Sequence, residues 1–80
     1  MSIVADHEID IRGEHCPYTF VKSKLKMETL APGEVLRILT DHEPATLNVP
    51  RSMENEGHEI LLHPHKVNET DWEFFVKKNG

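Results

Sequence analysis

Cysteine occurs once in this chain, at position 16. One thiol cannot close an internal disulfide, so the chain is not a stapled secreted domain. Basic charge is in short supply: 9 Lys+Arg stand against 14 Asp+Glu, a formal net charge of −5. That balance argues against nucleic-acid binding, where affinity comes largely from neutralising phosphates. The charges are interspersed, so no acidic tail is present. No apolar run approaches transmembrane length. The opening residues, Met1 to Asp6, show neither a basic stretch nor a long apolar one, so no signal peptide is expected. A cytoplasmic location is the resulting expectation, and there a free thiol stays reduced.

Repeats, low-complexity segments and linker-like composition are also missing, which predicts one domain over residues 1–80. At 80 residues the domain is near the lower size limit for folding without disulfides or metal, and buries roughly 60% of its unfolded surface. A surface or rim site suits it better than a deep cavity.

Hydrophobic periodicity predicts the elements. His7 to Arg12 alternates, with Ile9 and Ile11 on one face, and reads as a half-buried strand. Arg12-Gly13-Glu14-His15 reads as a loop leading to Cys16-Pro17. Pro17 fits the first position of a helix that runs to about Leu30 and is stopped by Ala31-Pro32-Gly33. Its apolar positions are Phe20, Val21, Leu25, Met27 and Leu30, interrupted by Lys24 and Glu28. Glu34 to Thr40 is a second strand, and Asp41 to Pro44 a turn. A weaker second helix follows, restarted at Pro50 and closed by Gly57, because proline inside a helix breaks the hydrogen-bond ladder. His58 to His63 is a third strand, with Pro64 setting its end at an edge or turn. Asp71 to Lys78 is the last, with Trp72, Phe74 and Val76 inward and Glu73, Phe75 and Lys77 outward. The order β-α-β-α-β-β, with polar outer strand faces, predicts an α+β two-layer sandwich whose helices cover one side of the sheet.

The candidate reactive group is Cys16. A thiolate is the reactive form, and a helix N-terminus lowers thiol pKa. With Cys16 as N-cap, the free N–H groups of Tyr18 and Thr19 would point toward its sulfur, and the helix dipole would favour negative charge there. Arg12 and His15 would add positive potential. A persulfide anion would be stabilised in the same way. The plain alternative is that free cysteine often serves as a small buried hydrophobe, and Cys-Pro alone does not decide between them.

A longer set of residues bears on that choice: Asp10-Ile-Arg12-Gly13-Glu-His-Cys16-Pro17, Leu30-Ala-Pro-Gly33-Glu34-Val-Leu36, Asp41 through Pro44-Ala45, Val49-Pro50, Gly57-His58 and the basic Lys77-Lys78-Asn79-Gly80. In this ordered pattern the chain resembles the TusA/SirA-like sulfur carriers over nearly its whole length. The resemblance implies a βαβαββ sandwich with four strands in a mixed sheet. It implies that Cys16 accepts sulfane sulfur as a persulfide from a cysteine desulfurase or rhodanese and passes it to a cysteine of an acceptor protein. The routes such proteins serve are tRNA thiolation, molybdenum-cofactor assembly and sulfur oxidation. Pro17 would start the helix, and Arg12 and Gly13 would shape the site loop. The family motif usually reads C-P-x-P, whereas here Thr19 holds the second proline's place. Threonine restores an N–H and adds a hydroxyl, and so offers the sulfur a further donor. Asn48 stands where an acidic residue commonly precedes the Ile/Val-Pro pair, and the Asp41–Pro50 connection differs slightly in length.

Other residues have simpler readings beside functional ones. Lys22 and Lys26 share a helix face and could dock an acidic partner, although an ordinary solvated face is the favoured reading, since surface lysines are common. Lys24 is expected to pair with Glu28 at i,i+4. Tyr18 could belong to a docking surface, and Phe75 and Tyr18 are the aromatics expected outside. Six histidines suggest a metal, but the spacing of His58, His63 and His65 fits no zinc pattern, so neither metal nor cofactor is expected. His15 adjoins Cys16 but is treated as electrostatic at most, since neighbouring side chains seldom aim at each other.

Without a C-x-x-C pair, a dithiol oxidoreductase is disfavoured. A sulfurtransferase acting by stoichiometric relay needs only one cysteine per protein. The alternatives are a single-cysteine redox sensor and a non-catalytic regulatory module. An RNA-binding module is opposed by net charge and by the lack of an RNP-like aromatic strand motif.

Overall fold

The computed structural model describes residues 4–15 and 17–79. Cys16, and with it the expected N-cap role of that residue, lies outside the described residues. The elements are β1 (His7–Asp10), α1 (Tyr18–Glu28), β2 (Val35–Thr40), α2 (Ala45–Asn55), β3 (Glu59–Lys66) and β4 (Trp72–Lys77). The four strands form one mixed sheet in the order β1-β2-β4-β3. β1 pairs parallel with β2, and β4 runs antiparallel to both β2 and β3. The α+β sandwich expected from the sequence is the architecture found.

The core lies between the helices and one face of the sheet. Ile11, Leu36, Ile38, Phe74 and Val76 from the sheet side meet Met27, Ala45, Val49 and Met53 from the helices, with Leu30 below them. In α2 the buried residues are Ala45, Val49, Pro50 and Met53, which is the i, i+4, i+8 spacing of one helix face. The buried residues of α1 are Thr19, Ser23 and Met27. This stripe departs from the apolar one in the sequence: Val21 and Leu25 face solvent. Two small hydroxyl residues face inward instead, and Ser23 Oγ satisfies itself on the Thr19 carbonyl at 2.7 Å.

Several boundaries differ from expectation. Pro50 sits inside α2 rather than at a helix start. The helix begins five residues earlier, so the proline removes the N–H that would have reached Thr46, while its ring is buried. β3 runs through Pro64 to Lys66. It is an edge strand, and its register shifts on both sides of Leu62, the second shift spanning Pro64, so the missing donor breaks no regular ladder. Phe75 is buried, not exposed. Although it shares a face with Glu73 and Lys77, it lies on the central strand β4 between register partners Arg37 and Leu62. Lys24 pairs not with Glu28 but with Glu56 of the α2 cap at 3.1 Å, linking the C-terminal ends of the two helices.

The topology fixes where a site can form. β1, β2 and β3 point one way, so their ends gather at one edge: Asp10 pairs with Leu39, while Thr40 and Lys66 both pair with Trp72. Each helix starts a few residues beyond such a strand end. Both helix N-termini therefore face the same end of the molecule, and the loops that lead into them are there.

Candidate functional site

Three loops meet at this end: residues 11–17, 41–44 and 67–71. Gly13 turns the first of them with φ +86°, a conformation that strains residues with a Cβ. Its N–H donates to an Asp41 carboxylate oxygen at 2.9 Å, which ties the loop before α1 to the loop before α2. The same two loops meet through His15 and His42, whose rings pack edge to face with centroids 5.0 Å apart. His42 had no functional signal in the sequence, because its neighbour across the fold is 27 positions away.

Arg12 is clamped by two carboxylates. Its guanidinium donates to Asp10 through Nη2 at 2.8 Å and Nε at 3.0 Å, and its backbone N–H donates to Asp10 Oδ1 at 3.0 Å. Nη1 reaches Asp71 Oδ2 at 3.4 Å. Asp71 is held in turn by Asn68 Nδ2 at 2.8 Å. The guanidinium holds the Asp10 carboxyl down at a pKa of about 2. Asp71 is also lowered, first by the Asn68 amide and then by Thr70 and Arg12. Arg12 and Gly13 thus line one shallow depression with Asp10, Asp41, Thr70 and Asp71. Within this cluster the positive charge of Arg12 is matched by Asp10 and Asp71.

At the start of α1 the amides are also committed. Pro17, not residue 16, takes the N-cap position with φ −92° and ψ 2°, so the helix starts one residue later than expected. The N–H groups of Tyr18 and Thr19 both donate to the His15 carbonyl, at 2.7 and 3.3 Å. These two donors, expected to face the sulfur, are spent closing the turn that enters the helix. Thr19 itself is 1% exposed, and its Oγ1 has no hydrogen-bond partner among the described residues. A buried hydroxyl left in that state costs about 1–3 kcal/mol.

The outer face of α1 differs in character. Tyr18, Val21 and Leu25 are exposed, at 62%, 42% and 59%, and their i, i+3, i+7 spacing forms an apolar stripe that begins next to the N-cap Pro17. Lys22 folds back to Glu14 at 2.7 Å, so its charge is already matched. Lys26 has no ion pair among the described residues.

At the opposite end of the helices, Met27, Met53, Lys24, Glu56, His58 and Lys78 line a cleft of about 190 Å³. Burial, aided by Lys78, pushes His58 below the usual imidazole value. This cleft is remote from the loops that precede the two helices. No group of three or more potential metal ligands gathers among the described residues, and no described helix is long and apolar enough to cross a membrane.

Comparison with known proteins decides the family. The family model described as sulfurtransferase TusA matches residues 7–78. The chain belongs to the TusA family. A protein of Archaeoglobus fulgidus, provisionally named as a sulfur carrier, is 53% identical over 76 residues, covering 95% of this chain and 85% of its own. A similarly named protein of Escherichia coli is 35% identical over 60 residues, covering 75% of this chain and 78% of its own. The crystal structure of a SirA-like protein from Desulfitobacterium hafniense superposes with a TM-score of 0.78 at 20% identity, over 92% of this chain and 99% of that one; at that identity it speaks for the fold.

Proposed function

We propose that this TusA-family protein carries sulfane sulfur as a persulfide on Cys16 and hands it to a cysteine of a partner protein. The observation that supports this most directly is the family match across residues 7–78, with Cys16 as the chain's only thiol. Its thiolate attacks the outer sulfur of a persulfide on a donor protein. A new S–S bond forms on Cys16 while the donor's S–S bond breaks, and the donor leaves as a thiolate. An acceptor thiolate then attacks the outer sulfur on Cys16, which leaves as a thiolate. Each step exchanges one S–S bond for another, so no oxidant or reductant is consumed and one cysteine per protein suffices. The donor is a cysteine desulfurase or a rhodanese, and the place of action is the cytoplasm, where the thiol stays reduced. The acceptor belongs to a route such as tRNA thiolation, cofactor assembly or sulfur oxidation. The exposed stripe of Tyr18, Val21 and Leu25 supports docking of those partners, with Lys26, which has no ion pair among the described residues, as a cation on that helix.

The experiment is intact mass after incubating the reduced protein with a cysteine desulfurase plus cysteine, or with a rhodanese plus thiosulfate. One added sulfur on the wild type, absent from Cys16→Ser and removed by dithiothreitol, is the expected result. Dithiothreitol separates it from sulfinic acid, which is nearly equal in mass and does not reverse. No adduct with either donor, together with a ready reaction with peroxide, would instead make Cys16 a redox sensor.

A further inference from the structure

The cleft of about 190 Å³ at the C-terminal ends of the helices takes no part in the sulfur transfer proposed above, and its lining has a chemistry of its own. Met27 and Met53, the last buried residues of α1 and α2, form its apolar wall. Their carbonyls are already occupied, Met27 O by the Leu30 N–H at 3.1 Å and Met53 O by the His58 N–H at 3.0 Å. Lys24 and Glu56 match each other at 3.1 Å. Lys78 has no ion pair among the described residues; its ammonium reaches only the Glu28 carbonyl, at 3.5 Å. His58 is a second donor. Its Nδ1 accepts from the Asn79 backbone N–H at 3.2 Å, and an amide N–H can only donate, so the neutral ring carries its proton on Nε2. Burial and then Lys78 hold His58 below the usual imidazole value, against the opposing pull of Glu56, so the ring is neutral at pH 7.

We propose that this cleft binds a small carboxylate with a compact apolar body. The carboxylate pairs with the Lys78 ammonium and accepts from His58 Nε2–H, while the body packs on the polarisable side chains of Met27 and Met53. An apolar cavity of roughly 150 Å³ holds one benzene, so the cleft suits an acid of about that ring size. Glu28 lines the same cleft and has no ion pair among the described residues. It opposes the anion and keeps the affinity modest. Nothing in this proposal involves Cys16, so its test stands apart from that of the carrier reading.

The probe is benzoate, compared with benzyl alcohol and benzylamine, which keep the ring and change the charge. NMR follows the methyl groups of Met27 and Met53 and the titration of the His58 ring. The charged groups around that ring are Lys24 and Glu28 of α1, Glu56 after α2 and Lys78 after β4. Benzoate is expected to shift both methyls with millimolar affinity and to bind about fivefold more tightly than either analogue. At saturation it should also raise the His58 midpoint, because a nearby carboxylate favours the imidazolium. Lys78→Met keeps the apolar stem and the backbone bonds of residue 78 to Gly33 and Glu34, and should weaken benzoate about fivefold. Glu28→Gln should strengthen it. Equal affinity for the three probes, a preference for benzylamine, or benzoate shifts that leave both methionine methyls unmoved would each overturn the proposal. So would the absence of any benzoate binding in the millimolar range.

Discussion

The Gly13 N–H donates to the Asp41 carboxylate across 28 positions of sequence, at 2.9 Å, and with the His15–His42 ring contact this bond joins the two loops that precede the helices. Gly13 needs its φ of +86°, but a Cβ there would meet nothing within 4 Å. Gly13→Ala is therefore expected to cost about 1–2 kcal/mol purely through backbone strain. Asp41→Ala should cost about 1 kcal/mol by removing the acceptor, and Asp41→Asn less, since its carbonyl still accepts. Urea unfolding measures the stabilities, and alkylation of Cys16 reports the loop. Loss of stability without any change in thiol reactivity would show that the tie serves folding only.

Asp10 makes stability depend on pH in a defined window. Its pKa is lowered, chiefly by the Arg12 guanidinium, to about 2, below the unfolded value of about 3.9. A depressed carboxylate contributes stability that is fully present above the unfolded value and is lost as pH falls toward the folded one. The wild type should thus lose this contribution between about pH 4 and pH 2. Asp10 is half exposed, so solvent screening keeps the effect small. Asp10→Asn should flatten the urea midpoint across that window and leave its slope above pH 5 unchanged. Parallel curves for the two proteins would refute the assignment.

On the open face of the sheet, charges run across all four strands. Glu8 of β1 meets Arg37 of β2 at 3.3 Å, Arg37 meets Glu73 of β4, and Glu73 meets His65 of β3 at 3.1 Å. The two links to Arg37 should differ in strength, because the Glu73 side chain is 16% exposed and that of Glu8 69%. Glu73→Ala leaves a partly buried guanidinium short of its main partner and should cost about 1.5–3 kcal/mol. Glu8→Ala should cost at most about 1 kcal/mol, and added salt should erase the difference from wild type. Equal losses for the two would mean that the row acts as one network.

What could be read from the sequence follows from which contacts are local. The four strands and both helices were legible because alternation and turn residues lie within each segment. Phe75 was assigned outward because parity alone cannot show that Arg37 and Leu62 flank it across the sheet. Pro50 was placed at a helix start by a local rule, while the helix start at Ala45 is set by burial of Ala45 and Val49 against the sheet. At the site, Arg12 and Gly13 were found in the right loop, but their partners Asp41 and Asp71 come from distant segments. Those partners decide how the loop is held: Asp71 shares in matching the charge of Arg12, and Asp41 accepts from the Gly13 N–H. The inner face of α1 was hidden for a different reason: Thr19 and Ser23 do not look like core residues, whereas Val21 and Leu25 do.

That inversion of α1 leads to a functional prediction. Replacing Val21 and Leu25 by serine removes apolar groups that pack against nothing inside, so stability should stay within about 0.5 kcal/mol of wild type per site. Met27→Ala, on the buried face, should cost about 2–5 kcal/mol. If the exposed stripe seats a sulfur-donor protein, the Val21→Ser/Leu25→Ser variant should take sulfur from a cysteine desulfurase about tenfold more slowly. It should still react at the wild-type rate with a small sulfane donor such as polysulfide, because the thiol itself is untouched. Measuring both rates on the same variant separates recognition from chemistry. Slowing with both donors would place the defect at Cys16, and slowing with neither would leave the stripe without a role in transfer.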